Sequence, residues 1–254
     1  APIIFRAPRV YGSGSMAYLM ALIFTDCKKR VVMSANQPEA FVLDNGLQIS
    51  CDIPGRKTLG ISPDDILLDP VSDEIKPGQL GIFTRSGSNA SARIQNLELE
   101  HDKIIIFATK TFSNQSVIQE LKPLLTRVSG TTILSIQNGI SPEVEIDDLL
   151  KVNGVDSYQL LRGIVFGGVF PTSKRCKLKH TIQALGIGSW NGDIVSKAYH
   201  GSLQRIKQYF SDQTILVELF LGDDYRVKSV SKAAINYLSS VSFIFGAKIG
   251  EILG

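Results

Sequence analysis

The chain has 254 residues, 44% of them hydrophobic and 20% charged, which argues against disorder and leaves room for one large or two ordinary domains. Its 27 Lys and Arg against 24 Asp and Glu leave a net charge of +3, too small an excess to indicate nucleic acid as a partner. Cys27, Cys51 and Cys176 show no CxxC spacing, so neither a disulfide framework nor a thiolate zinc site is indicated, and a reducing compartment fits best.

In chain order, Val10-Tyr11 starts a first strand and Ser15 to Phe24 forms an apolar helix, stopped by Thr25-Asp26-Cys27-Lys28-Lys29-Arg30. That run is too short for a bilayer span, which needs roughly 18 residues, and reads as a buried helix ending in cations. Arg30-Val31-Val32-Met33 gives a second strand. An acidic, Pro-bearing excursion occupies Asp64 to Pro77. Lys103 to Ala108 is then a continuous apolar run, as expected of a strand buried on both faces of a parallel sheet. Val117, Ile118, Leu121, Leu124 and Leu125 have helical spacing, and Thr131 to Ile136 is another buried strand ending at Gln137-Asn138-Gly139.

Two further β-like segments follow, Gly163 to Phe170 and Thr181 to Gly188, and from Gly201 the pattern turns helical, with Leu203, Ile206 and Phe210 on one side. Residues 226–253 read as one long helix or two. The expectation is an α/β fold: a Rossmann-type, doubly wound sheet over residues 1–195, followed over residues 196–254 by the start of an all-helical domain that looks incomplete. If the chain is complete as given, apolar residues there, among them Phe243, Ile244, Phe245, Ile249 and Ile252, would be exposed and would need a protein partner to cover them.

Three constellations carry chemistry. Gly12, Gly14 and Ala17 form GxGxxA between the first strand and the first helix, so Gly12, Ser13, Gly14, Ser15, Met16 and Ala17 are the expected cradle for a dinucleotide pyrophosphate. The ribose partner should stand at the end of the second strand, near Ser34-Ala35-Asn36. An acid there would indicate NAD and an arginine NADP, and neither is present. Lys28, Lys29 or Arg30 would have to fold back to pair a 2′-phosphate.

The second constellation is a pair of polar strand tips, Ala108-Thr109-Lys110-Thr111 and Gln137-Asn138-Gly139. Asn-Gly alone is better explained by a plain turn, and it is two polar tips on adjacent strands beside the Gly-rich loop that point to a site. The third is Lys228, Lys232 and Asn236, stacked at i, i+4 and i+8 on one helix face. If partly buried, both lysines would have lowered pKa values; the alternative is a solvated basic stripe. The basic patch Lys174 to His180 reads as a charged hairpin, and the three histidines show no metal cluster.

In order along the chain, the GxGxxA loop, Thr109-Lys110-Thr111-Phe112, Ile136-Gln137-Asn138-Gly139, Arg162-Gly163-Ile164-Val165, the His180 to Gly188 segment and Lys228 to Asn236 together resemble the ketopantoate reductase (2-dehydropantoate 2-reductase) family. The resemblance implies NADPH as cofactor and reduction of a small 2-keto acid, 2-dehydropantoate, to its hydroxy acid in pantothenate biosynthesis. It implies that Lys110 lies near the cofactor and Asn138 near nicotinamide and substrate. Lys228 would be the catalytic lysine that protonates the alkoxide, and Asn236 would hydrogen-bond the substrate.

Lys232 replaces the family's usual Asn, adding a second cation to the substrate pocket. No arginine for the 2′-phosphate stands at Met33 to Asn36, and the Ser and Glu of the family's later helical domain fall outside this sequence. These departures keep open a second reading: a non-catalytic relative acting as a scaffold or mitochondrial translation activator, as among some fungal proteins resembling the family. No membrane or nucleic-acid partner is expected. The cytoplasm is the expected compartment, with the mitochondrial matrix as the alternative.

Overall fold

The computed structural model describes residues 9–11, 15–35, 45–51, 53–70, 75–84, 104–127, 130–139, 142–172, 177–190, 197–220, 224 and 227–235. Its centre is set by the two longest apolar runs between residues 100 and 140. They become β7 (Ile104–Phe107) and β8 (Thr131–Ser135), every residue of which is buried. β1 (Arg9–Tyr11) pairs in parallel with β7 on one side and with β2 (Val31–Ala35) on the other.

The large sheet has nine strands, completed by β5 (Ile66–Leu68), β6 (Leu80–Thr84), β9 (Tyr158–Phe166), β12 (Ala184–Ser189) and β13 (Leu216–Phe220). Their order is β13-β12-β9-β8-β7-β1-β2-β6-β5. The inner six, β6-β2-β1-β7-β8-β9, follow the 3-2-1-4-5-6 order of a doubly wound dinucleotide-binding sheet. β12 runs antiparallel to β9, and β13 joins β12 in parallel.

A second sheet of four strands was not legible in the sequence. It is formed by β3 (Leu47–Cys51), β4 (Leu59–Ile61), β10 (Val169–Pro171) and β11 (Lys177–His180), ordered β10-β11-β3-β4. Of the hairpin expected around Lys174 to His180, residues 173–176 lie outside the described residues; Lys177 to His180 form β11, antiparallel to β10 and parallel to β3.

Helix α1 (Ser15–Asp26) fits between the two sheets. It is apolar all round, and Ala17 to Thr25 are buried. Leu47, Ile49, Leu59 and Ile61 of the small sheet share a cluster with α1 and with Met33, Ile104 and Ile106 of the large one. Each such Leu, Ile or Phe removed from water contributes about 1.5–3 kcal/mol. The helix closes where Lys28 takes a left-handed conformation (φ 57), with the Lys28 N–H on the Thr25 carbonyl and the Lys29 N–H on that of Phe24.

The opposite face of the large sheet carries α2 (Asn114–Leu125) and α3 (Pro142–Val152). All five apolar residues anticipated for α2, Val117, Ile118, Leu121, Leu124 and Leu125, are buried. α4 (Lys197–Ser211) buries Leu203, Ile206 and Phe210 on the α1 side, as the spacing predicts, and Phe24 meets Tyr209 and Phe210 edge-on. The chain then returns to the sheet as β13, so residues 197–220 pack with the unit expected to end at residue 195. Residues 227–235 form helix α5. No helix among the described residues is long and apolar enough to cross a membrane.

Candidate active site at the strand tips

In an open parallel sheet the carboxyl ends of the strands hold the ligand, because helix amino termini and unpaired backbone groups converge there. Here those ends belong to β1, β2, β7 and β8. Of the expected phosphate cradle, Gly12, Ser13 and Gly14 lie outside the described residues. Ser15 and Met16 open α1 half-buried, and Ala17 is fully buried, where a small residue allows close packing of helix on strand.

The tips of β7 and β8 are tied together by side chains that sequence reasoning had not assigned. The Gln137 amide donates to Thr109 Oγ1 (3.0 Å) and to Asn114 Oδ1 (2.6 Å), and the Asn114 amide donates to Glu145 Oε2 (2.9 Å). Gln137 and Asn114 are buried, so this network fixes the spacing of the two tips while Lys110 and Asn138 stand exposed beside it. Gly139 has φ 126, a backbone that a side chain would strain, which is why Asn-Gly turns here.

Arg162 is a further residue of the site that the sequence leaves unassigned. It sits in β9 beside Ser135 of β8, with 4% of its side chain exposed. Its guanidinium donates to the Gly139 carbonyl (3.0 Å) and lies 3.3 Å from the Glu143 carboxylate, whose side chain is 1% exposed. A lone cation in the apolar run Leu-Leu-Arg-Gly-Ile-Val was the available signal, since a buried charge needs a partner. The partner stands in the first turn of α3, where an acid favours the helix dipole.

On α5 the residues turned inward are Ser229, Lys232 and Ala233, whereas Lys228 is exposed together with Val227 and Val230. Burial, and then the positive charge of Arg162, push the Lys232 ammonium down to about 8. The cation that lowers it is Arg162, where the i, i+4 spacing points to Lys228. Asn236 lies outside the described residues.

At the end of β2, Ser34 is buried, and its hydroxyl donates to Glu120 Oε1 of α2 (3.3 Å). Lys28, Lys29 and Arg30 precede β2 and so lie at its opposite end, with Lys29 placed over the Tyr209 ring. They do not fold back toward a 2′-phosphate.

This strand order, with its polar tips and small-residue helix start, defines a Rossmann-type α/β protein. The profile of the family described as ketopantoate reductase PanE/ApbA matches residues 9–192, and the chain belongs to that family. No curated protein sequence matches it.

Among solved structures, 2-dehydropantoate 2-reductase from Methylococcus capsulatus is 15% identical with a TM-score of 0.59, covering 95% of this chain and 65% of its own. D-mandelate dehydrogenase in complex with NADH is 13% identical with a TM-score of 0.58, covering 96% of this chain and 65% of its own. NADP+-bound yersinopine dehydrogenase is 10% identical with a TM-score of 0.56, covering 84% and 47%. The chain therefore spans less than two thirds of the length of each of these three structures.

Proposed function

We propose that this protein takes part in the nicotinamide-dependent reduction of a 2-keto acid, and that Lys232 is the group that meets the reacting end of the substrate. 2-Dehydropantoate is the first acid to test, on the strength of the family match. The observation that carries the proposal is that Lys232 turns half-buried on its helix and feels the charge of Arg162, the arginine that holds the turn at the end of β8.

A bound nicotinamide supplies the hydride; relatives of this fold have been solved with NADH and with NADP+. The chain supplies the rest. A carbonyl that receives a hydride becomes an alkoxide and needs both a proton and a nearby positive charge. An ammonium held near 8 retains its proton at neutral pH yet releases it more readily than a solvated lysine. Arg162 anchors the Asn138–Gly139 turn through the Gly139 carbonyl, which supports Asn138 in the role of meeting nicotinamide and substrate. The Gln137 network holds Lys110 at a set distance on the neighbouring tip. In this proposal the proton transfer that the resemblance assigned to Lys228 passes to Lys232, and Lys228, on the exposed side of α5, guides the anionic acid inward.

The test is oxidation of NADH or NADPH in the presence of 2-dehydropantoate and a panel of smaller 2-keto acids, with Lys232→Met and Lys228→Met compared. Turnover should fall by about 10²–10⁴ in Lys232→Met, the usual contribution of a positioned acid, and much less in Lys228→Met. The reverse order would return the role to Lys228, and no turnover with any acid would remove the reductase reading.

A further inference from the structure

The Rossmann fold selects its cofactor at the end of the second strand, with an acid for the ribose 2′-hydroxyl or an arginine for the 2′-phosphate. In this chain β2 offers neither. Ser34 stands about twenty residues after the glycine loop, where the acid is expected, and is paired through the sheet with Tyr11, the residue before the loop. The carboxylate comes instead from another element: Glu120, six residues into α2, accepts the Ser34 hydroxyl at 3.3 Å.

From this arrangement we infer that Glu120, positioned by Ser34, is the ribose selector of this protein and makes it prefer NADH over NADPH. The inference rests on the dinucleotide reading above and contradicts the NADPH expected from the resemblance.

Three physical effects favour NADH at this carboxylate. A carboxylate has several acceptor sites, so the Ser34 hydroxyl can hold it while ribose hydroxyls donate to it. Hydrogen bonds from a hydroxyl to an ionised carboxylate are about twice as strong as neutral ones, so a ribose diol gains from meeting it. A 2′-phosphate brings no donor and about two negative charges to the same place, where the carboxylate repels it.

Glu120 is half-exposed, so a ligand can approach it. Among the described residues, the cations preceding β2 lie at the far end of that strand. Lys110, at the tip of β7, is two strands away, about 10 Å at normal strand spacing, nearer the pyrophosphate than the ribose. Nothing local in the sequence marks Glu120; it reads as an ordinary helix-surface glutamate until the fold carries α2 across to β2.

Calorimetric titration of the full chain tests the inference without any need for turnover. NADH should bind at least about tenfold more tightly than NADPH, and 5′-AMP should likewise bind more tightly than adenosine 2′,5′-bisphosphate. Glu120→Gln keeps the shape and an acceptor for Ser34, and should bring the two dinucleotides to within about threefold of each other. Glu120→Arg should invert the preference.

Equal or tighter binding of NADPH by the unsubstituted chain would overturn the selectivity and leave the dinucleotide site standing. This includes an NADPH preference abolished by Arg85→Ala, the residue that follows β6 in sequence. An NADH preference unchanged in Glu120→Gln would also overturn it, by removing Glu120 as its cause. Binding of neither dinucleotide, in a chain whose melting shows it folded, would overturn both the selector and the reading on which it rests.

Discussion

Replacing Arg162 by Met removes a buried cation and leaves the Glu143 carboxylate, 1% exposed, without the guanidinium at 3.3 Å. Breaking one side of a buried ion pair costs about 3–5 kcal/mol, because the remaining charge stays desolvated. The lost donor to the Gly139 carbonyl adds a further fraction, since a net hydrogen bond is worth about 0.5–1.5 kcal/mol. Domains of this kind have only about 5–15 kcal/mol in total, so the variant should remain folded in the cold with a much earlier urea midpoint.

The double variant Arg162→Met, Glu143→Leu removes both charges and should recover most of the loss. The substitution also withdraws the second cause of the low Lys232 pKa while leaving burial, the first, in place. The pH at which Lys232 loses its proton should therefore rise without reaching the solvated value of about 10.4. Urea unfolding followed by circular dichroism measures the first effect. A loss below about 1 kcal/mol in the single variant, or a double variant no better than the single, would refute the buried-pair account.

Gly163→Ala would place a methyl 2.8 Å from Ile136 Cγ2 and 3.1 Å from Leu134 Cδ1, so overpacking should cost about 1–3 kcal/mol, read as a lowered Tm. Asp147, on the outer helix α3, accepts from Lys151 (2.7 Å), from the Tyr158 hydroxyl and from the indole of the chain's single tryptophan, Trp190 (3.2 Å). Burial pushes its carboxyl up, but those donors outweigh it and hold the carboxyl below its usual value. A depressed carboxylate stabilises the fold above its unfolded pKa of about 3.9, and that contribution is lost as pH falls through the lower folded value. Tryptophan fluorescence should accordingly report an acid transition below about pH 4 that is absent in Asp147→Asn.

Lys232 gives the same sign of pH dependence at the alkaline end, there because its buried charged form costs stability. Its folded pKa is depressed, so between about 8 and 10.5 the unfolded chain binds more protons and stability rises with pH. Lys232→Met should flatten that rise in pH-dependent urea unfolding.

The sequence made legible those elements whose burial is continuous or helically spaced: β7, β8, α1, α2 and the apolar side of α4. The strands β3, β4, β5 and β10 are only partly buried and so carry too little pattern to stand out. Their pairing is also non-local, as where Lys177 to His180 lies beside Gln48 to Cys51. The same limit applied to the site. Lys110, Asn138 and Lys232 announce themselves as polar residues at strand ends or on a helix face. The exposure of Lys228 and the inward turn of Lys232 depend on how α5 is rotated, which spacing at i and i+4 leaves undecided. Arg162 and Glu143 become a pair only when β9 lies against β8 and α3 follows the turn. Glu120 reaches Ser34 only when α2 crosses the sheet.

The most direct test of Lys232 as the proton-bearing group is the pH dependence of kcat/KM for keto-acid reduction by the full chain. The account predicts a rate that falls as pH rises through about 8, a limb displaced upward in Arg162→Met and abolished with most of the activity in Lys232→Met. A profile flat through that range, or a limb near 8 that persists in Lys232→Met, would contradict it.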